Sequence, residues 1–176
     1  MSQNSSTLPI SIIFVGILIL IYQNFTSHVK TDVEQVVQPT VTEKELKKVK
    51  KPANGYMKNY SNRKLVAPLI ITAPVSQSVL VKIVDPYTLQ PILSVFVREN
   101  NTARIYAPLG EYVLKYAMGK NWYGFDNLFG NETIYLMANE KMDFIRNQEG
   151  YIGRKIILRP MLEGNLHTEE IPAKNF

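Results

Sequence analysis

An unbroken apolar run, LPISIIFVGILILIY from Leu8 to Tyr22, constrains this chain more than any other feature of its sequence. About 17–25 apolar residues cross the hydrocarbon core of a bilayer as a helix. The run reaches eighteen residues when it is extended to Phe25, and Tyr22 and Phe25 suit the aromatic belt at a membrane interface. The sequence therefore predicts a transmembrane helix over residues 8–25, preceded by a short polar N-terminus at residues 1–7.

Two other interpretations of the run are a cleaved signal peptide and a buried helix of a soluble domain. A signal peptide carries an apolar region of about 7–15 residues behind a basic start. The preceding MSQNSST has no Lys or Arg, and the following QNFTS offers no small-x-small cleavage site. A buried helix needs a domain around it, and the residues that follow do not predict one. A membrane anchor therefore explains the run best.

The positive charge of the chain lies beyond this run and not in the predicted domain. The net charge is +5, and residues 26–64 hold nine Lys or Arg against four acids, whereas the residues from Lys82 onward hold eleven of each. A nucleic-acid-binding domain carries its own basic excess. We therefore expect a neutral domain that does not bind nucleic acid.

Residues 26–77 have the composition of a flexible basic linker, rich in Lys, Thr, Gln, Asn and Pro. A short helix is predicted over residues 42–51, where Thr42 and Glu45 form a capping-box pattern and lysines lie at the C-terminal end. The basic run is either a solvated segment or a contact for anionic lipid headgroups. The candidate lipid-contacting residues are Lys47, Lys48, Lys50 and Lys51.

From residue 78 the sequence changes to short β-rich segments separated by turn residues. Seven such segments lie between residues 78 and 160, and Glu111–Met118 alternates cleanly between apolar and polar positions. The pattern predicts a single antiparallel β-sandwich of about seven strands over residues 78–160. Residues 161–176 are predicted to form a polar, irregular tail.

Part of this region follows a recognisable pattern of turns and strands. Asp85, Thr88 and Pro91 are followed by PLGEYVLKY at residues 108–116 and then by Gly119. The run of residues 79–119 resembles the transthyretin-like, carboxypeptidase-regulatory-type β-sandwich. This resemblance implies a non-catalytic binding, spacer or anchoring module.

The residues that carry enzyme chemistry are sparse. The chain has no cysteine, which excludes disulfides, thiolate chemistry and cysteine-ligated metals. His28 and His167 lie at opposite ends and lack partners at metal-ligand or triad spacing. Glycine-rich nucleotide-binding motifs do not occur. We expect no enzymatic activity, no cofactor and no metal, and the sequence names no small-molecule ligand.

Four aromatic residues are concentrated in the segment after Gly119. They either close the end of the predicted sandwich or project outward to bind a partner, because Trp and Tyr dominate protein-interface hot spots. The candidate partner-binding residues are Trp122, Tyr123, Phe125 and Phe129.

Together these features predict a single-pass, membrane-anchored interaction protein that presents a small β-sandwich near the bilayer and binds another protein. Two alternatives remain: an envelope-associated hydrolase or lysis accessory that acts on cell-wall polymer, and a structural spacer subunit of a membrane-bound assembly. The positive-inside rule favours a cytoplasmic domain by a small margin, since only Lys30 and Lys44 lie close to the run. An extracytoplasmic domain is the alternative.

Overall fold

The computed structural model of the chain describes residues 45–158 and 166–176. Within these residues it contains eleven β-strands and two 3-10 turns, at Gly130–Glu132 and Ala173–Asn175. The prediction of a mainly β protein is confirmed. The strands are β1 (Tyr56–Asn59), β2 (Ala67–Thr72), β3 (Ser78–Val84), β4 (Pro91–Val97), β5 (Thr102–Ala107), β6 (Gly110–Gly119), β7 (Ile134–Ala138), β8 (Met142–Asn147), β9 (Gly150–Ile152), β10 (Arg154–Ile157) and β11 (Thr168–Glu170).

The ten-residue strand β6 organises the larger sheet, because three strands pair with it in antiparallel register. β3 pairs along one edge, while β7 and β8 pair with opposite ends of the other edge. The strand order is β1-β4-β3-β6-β7-β11, and β9 extends the sheet from β8. Because β6 is shared by two strands that follow one another along it, the sheet is curled.

The smaller sheet has the order β10-β2-β5 and contains a pairing that the sequence analysis did not predict. β2 and β5 are antiparallel, but β10 runs parallel to β2, with Leu69 opposite Arg154. The prediction of a purely antiparallel fold is therefore wrong at this strand. Gly153, directly before β10, allows the close approach, since a Cβ there would overlap the main chain of Pro68.

One hydrophobic core joins the two sheets. Side chains of β2 such as Leu69 and Ile71 belong to the same buried cluster as Val81 of β3 and Leu114 of β6. The alternation predicted for β6 is confirmed, because Tyr112, Leu114, Tyr116 and Met118 all lie in this cluster. The Tyr112 hydroxyl donates to the carbonyl of Leu109 and accepts a hydrogen bond from Arg63, both at 2.9 Å.

The predicted linker over residues 26–77 is corrected for residues 45–77. This part contains β1 and β2, and residues 51–54 are fixed to the end of β4 by polar contacts. Lys51 pairs with Glu99 at 2.8 Å, and the Arg98 guanidinium donates to the carbonyls of Pro52 and Lys51 at 2.8 and 3.1 Å. Composition suggested a linker because these stabilising partners lie far away in the sequence.

Residues 45–51 are not helical, so the described part of the predicted helix over residues 42–51 is wrong. Instead the main-chain N–H of Val49 donates to the carbonyl of Trp122 at 2.9 Å. The predicted transmembrane helix over residues 8–25 lies outside the described residues. No helix among the described residues is long and apolar enough to cross a membrane.

The described part of the predicted tail is structured. β11 pairs with β7, and the 3-10 turn at Ala173–Asn175 follows it. The main-chain N–H of Ile171 donates to the carbonyl of Tyr135 at 3.0 Å, and the Phe176 ring packs 5.4 Å from that of Tyr135. This segment therefore lies against the larger sheet, on the face that carries Tyr135.

Candidate functional site

A second apolar cluster lies on the face of the larger sheet that points away from the main core. Leu80 belongs to it, whereas its neighbours Val79 and Val81 belong to the main core, as the alternation of a strand requires. Phe96 and Ala117 complete the contribution of the sheet. The predicted aromatic loop folds over this cluster and covers it.

The loop has a defined main-chain conformation. The N–H of Tyr123 donates to the carbonyl of Leu128 at 2.8 Å, and the N–H of Leu128 donates back to the carbonyl of Gly124 at 2.7 Å. Gly124 has a φ of 96°, which glycine adopts at little cost. These contacts present the intervening residues at the tip of the loop.

Two of the four candidate partner-binding residues are core residues. Trp122 is 3% exposed and Phe129 is 1% exposed, and both belong to the second apolar cluster. The Trp122 ring lies edge-on to Phe96 and Phe129, with centroids 4.9 and 5.2 Å apart. The hypothesis that their side chains bind a partner is therefore corrected: they attach the loop to the sheet.

Phe125 differs from these two, because it is 51% exposed. Its ring stands edge-on to Trp122 at 5.2 Å and packs against Tyr56 of β1 at 5.7 Å. Tyr56 and Val49 are also exposed. We call the exposed side chains of Val49, Tyr56 and Phe125 the aromatic surface. Tyr123, the fourth candidate, is half-buried beside Gly130.

Lysines flank the aromatic surface. Lys48 and Lys50 are exposed on either side of Val49, and Lys47 is exposed as well. Lys58 lies two positions after Tyr56 on β1 and therefore on the same face. Lys51 is half-buried and bound to Glu99, so its ammonium is already paired. The hydrogen bond from Val49 to Trp122 thus brings the main chain of the basic segment next to the aromatic loop, although the two features are far apart in the sequence.

The sequence analysis missed a pair of lysines on the same outer face. Lys82 of β3 and Lys115 of β6 are opposite one another in the register of the sheet. The alternation of β6 placed Lys115 away from the main core, which is correct, but the side chain is only 4% exposed. The contact that covers Lys115 comes from Asn175, which lies in the tail that was predicted to be irregular. The sequence pattern around Lys115 therefore did not predict its burial.

The pKa values of Lys82 and Lys115 are both lowered by their surroundings. Burial lowers the pKa of Lys115, and burial together with the charge of Lys115 lowers the pKa of Lys82. Glu99 shows the opposite balance: burial opposes its ionisation, but hydrogen bonds from Lys51 and Ser78 outweigh this effect and lower its pKa to about 2. Glu99 is therefore a structural carboxylate that fixes residue 51.

The acidic and histidine side chains of the described residues are dispersed. Among residues 45–158 and 166–176, no group of three or more His, Asp or Glu side chains could hold a metal ion. His167 is exposed, and its carbonyl accepts a hydrogen bond from the N–H of Asn139 at 3.0 Å. His28 lies outside the described residues.

No family model, curated protein or solved structure matches this chain. The resemblance of residues 79–119 to the transthyretin-like sandwich therefore stays a prediction.

Proposed function

We propose that this chain is a single-pass, membrane-anchored, non-catalytic binding protein whose small β-sandwich captures a partner protein through the aromatic surface. The apolar run at residues 8–25 supports the anchor. The observation that carries the binding role is the exposed Phe125–Tyr56 pair, held from below by the buried Trp122.

An exposed aromatic pair on a rigid support is suited to binding. Binding hot spots are typically aromatic side chains that fill a pocket in the partner. The edge-on contact with Trp122 and the loop hydrogen bonds restrict the Phe125 ring before binding. A restricted side chain loses less conformational entropy on association, so more of the contact energy contributes to affinity.

The surroundings define the chemistry of the partner. Lys48 and Lys50 are exposed on either side of Val49 in the chain, and Lys58 is exposed two positions after Tyr56, so an acidic segment with apolar side chains complements this surface. β1 lies at the edge of the larger sheet, and an edge strand presents free main-chain groups to an added strand. We propose that the partner contributes an extended acidic and apolar segment that runs along β1.

Photo-crosslinking in native membranes tests this proposal. A benzoylphenylalanine replaces Phe125 in the full 176-residue chain, and a second variant carries it at Tyr106 as the matched control. Tyr106 is 57% exposed but lies on β5 of the smaller sheet. We expect crosslinks to one protein from position 125 and not from position 106, and mass spectrometry should locate them in an acidic and apolar peptide.

The lysines give an independent check of the same complex. Lys58→Glu should weaken the crosslink at position 125, whereas Lys141→Glu should not, because Lys141 directly precedes β8, which β4, β3 and β6 separate from β1. Crosslinks to lipid alone would overturn the proposal and indicate a membrane-docking surface. Equal crosslinking from positions 125 and 106 would overturn it as well.

A further inference from the structure

Lys82 and Lys115 form a pair of like charges that the proposed function does not use; Lys115 is buried and Lys82 is half-buried. They are directly opposite on neighbouring antiparallel strands. Like charges at such positions destabilise a sheet, and burial of an ammonium group adds a desolvation cost. Each ammonium group therefore needs hydrogen-bond acceptors that offset these costs.

Main-chain oxygens of the C-terminal segment accept hydrogen bonds from both ammonium groups. The Lys115 Nζ donates to the carbonyl of Asn175 at 2.7 Å. The Lys82 Nζ donates to the main-chain oxygen of Phe176 at 3.0 Å, which in the 176-residue chain belongs to the terminal carboxylate, and lies 4.0 Å from the centre of the Phe176 ring. Neither lysine forms an ion pair with any described Asp or Glu. An ammonium has three N–H donors, so each lysine retains donors for a further acceptor.

A cleft of about 430 Å³ opens beside this pair. Lys115 and Lys174 supply positive charge to its lining, and no described lining residue is Asp or Glu. The other lining residues combine polar side chains with apolar ones, which are Thr88, Leu89, Gln90, Met137, Ile171, Asn175 and Phe176. The volume lies within the range of small-molecule sites, which begins at about 300 Å³, but the walls are more polar than is usual for such sites, since five of the nine lining residues are polar or charged.

We propose that this cleft binds a small organic anion, with a carboxylate or phosphate group held by Lys115 and Lys174 and an apolar portion lying against Met137 and Ile171. Lys82 is opposite Lys115 in the register of the sheet but does not line the cleft, and its ammonium is bound by Phe176. The lowered pKa of Lys115 and Lys82 agrees with this assignment, because a bound anion would restore the charged form that burial disfavours. The cleft shares no lining residue with the aromatic surface, so this proposal does not depend on the proposed partner binding.

Titration calorimetry on the full 176-residue chain in a neutral, non-ionic detergent tests the proposal. The probes are butyrate, butyl phosphate and, as the uncharged match, 1-butanol. We expect the anions to bind and butanol not to bind. The anion that binds with the higher affinity identifies the acidic group of the natural ligand. Lys115→Met removes the ammonium group and keeps an unbranched apolar chain of four heavy atoms, and it should weaken anion binding by about tenfold or more, as expected for loss of one charge-assisted hydrogen bond.

Lys120→Met is the matched control, because Lys120 is exposed in the loop after β6 and does not line the cleft. It should bind the anions as the unaltered chain does. If Lys115→Met does not fold, NMR of ¹³C-labelled lysine in the unaltered chain replaces it: the anions should raise the pKa of Lys115, and butanol should not. Absence of anion binding at about 10 mM, equal binding of butanol, or unchanged affinity in Lys115→Met would overturn the proposal.

Discussion

Replacing Trp122 and Phe125 separately with Ala divides the aromatic loop into a structural part and a binding part. Trp122 is 3% exposed and packs against Phe96 and Phe129. Removal of a buried Trp side chain costs about 3–5 kcal/mol. Phe125 is 51% exposed, so its removal loses about half of the 1.5–3 kcal/mol that full burial of a Phe provides, or roughly 1 kcal/mol.

Urea denaturation followed by far-ultraviolet circular dichroism measures both effects. Fluorescence is unsuitable, because Trp122 is the only Trp of the chain and its replacement removes the signal. With a slope of about 1–3 kcal/mol per molar urea, Trp122→Ala should lower the midpoint by more than 1 M, about three times as much as Phe125→Ala. Capture of the partner by a photo-crosslinker placed on β1 should be affected in the opposite order. Phe125→Ala should lose the crosslink while remaining folded.

Two outcomes would contradict the assignment of Trp122 to the core and of Phe125 to the surface. Equal losses of stability would show that the Phe125 ring is as buried as that of Trp122. A loss below about 1 kcal/mol for Trp122→Ala would show that the second apolar cluster does not hold the loop on the sheet. Tyr106→Ala, an equally exposed aromatic residue on β5, gives the baseline for loss of a surface ring.

Three further predictions concern other parts of the chain. The pKa of Glu99 falls from 4.5 to about 2 on folding, so its contribution to stability is present above pH 4.5 and is lost as the pH falls toward 2. Glu99→Gln should therefore flatten this part of the stability–pH curve by at most about 1 kcal/mol, because solvent screens the half-exposed pair, and an unchanged curve would contradict the assignment. Gly153→Ala should lower the thermal midpoint strongly, because a Cβ there meets the main chain of Pro68; a Cβ at Gly124 meets no atom within 4 Å, so Gly124→Ala, which carries only the strain of its positive φ, should lower it less. A single cysteine at the exposed Tyr87 of this cysteine-free chain should resist a membrane-impermeant reagent in intact cells, and labelling there would place the domain outside the cytoplasm.

Local pattern was sufficient where neighbours in the sequence decide the structure. The alternation of β6 predicted which of its side chains enter the core, and Asn147 and Gly150 mark the hairpin between β8 and β9. Gly150 has the positive φ that this turn needs. Asp85 likewise accepts the N–H groups of Tyr87 and Thr88 in the turn after β3.

Pattern failed where a distant segment supplies the stabilising contact. All four residues of β1 are exposed, so the strand carries no apolar alternation and depends on its pairing with β4. Trp122 and Phe125 lie three positions apart in one loop, and only the packing of Phe96 and Tyr56 around them separates a core residue from a surface one. Lys115 donates a hydrogen bond to the main-chain carbonyl of Asn175, and the sequence around Lys115 gives no indication of this distant contact.

The parallel pairing of β10 with β2 also has a consequence for synthesis of the chain on the ribosome. β2 emerges early and finds β5 soon afterwards, but its other edge stays open until the residues from Arg154 have been made. An open, apolar edge is a template for aggregation, and such long-range pairings form slowly. During translation, the main-chain groups on this edge of β2 therefore stay unpaired with β10 until residues 154–157 have been made.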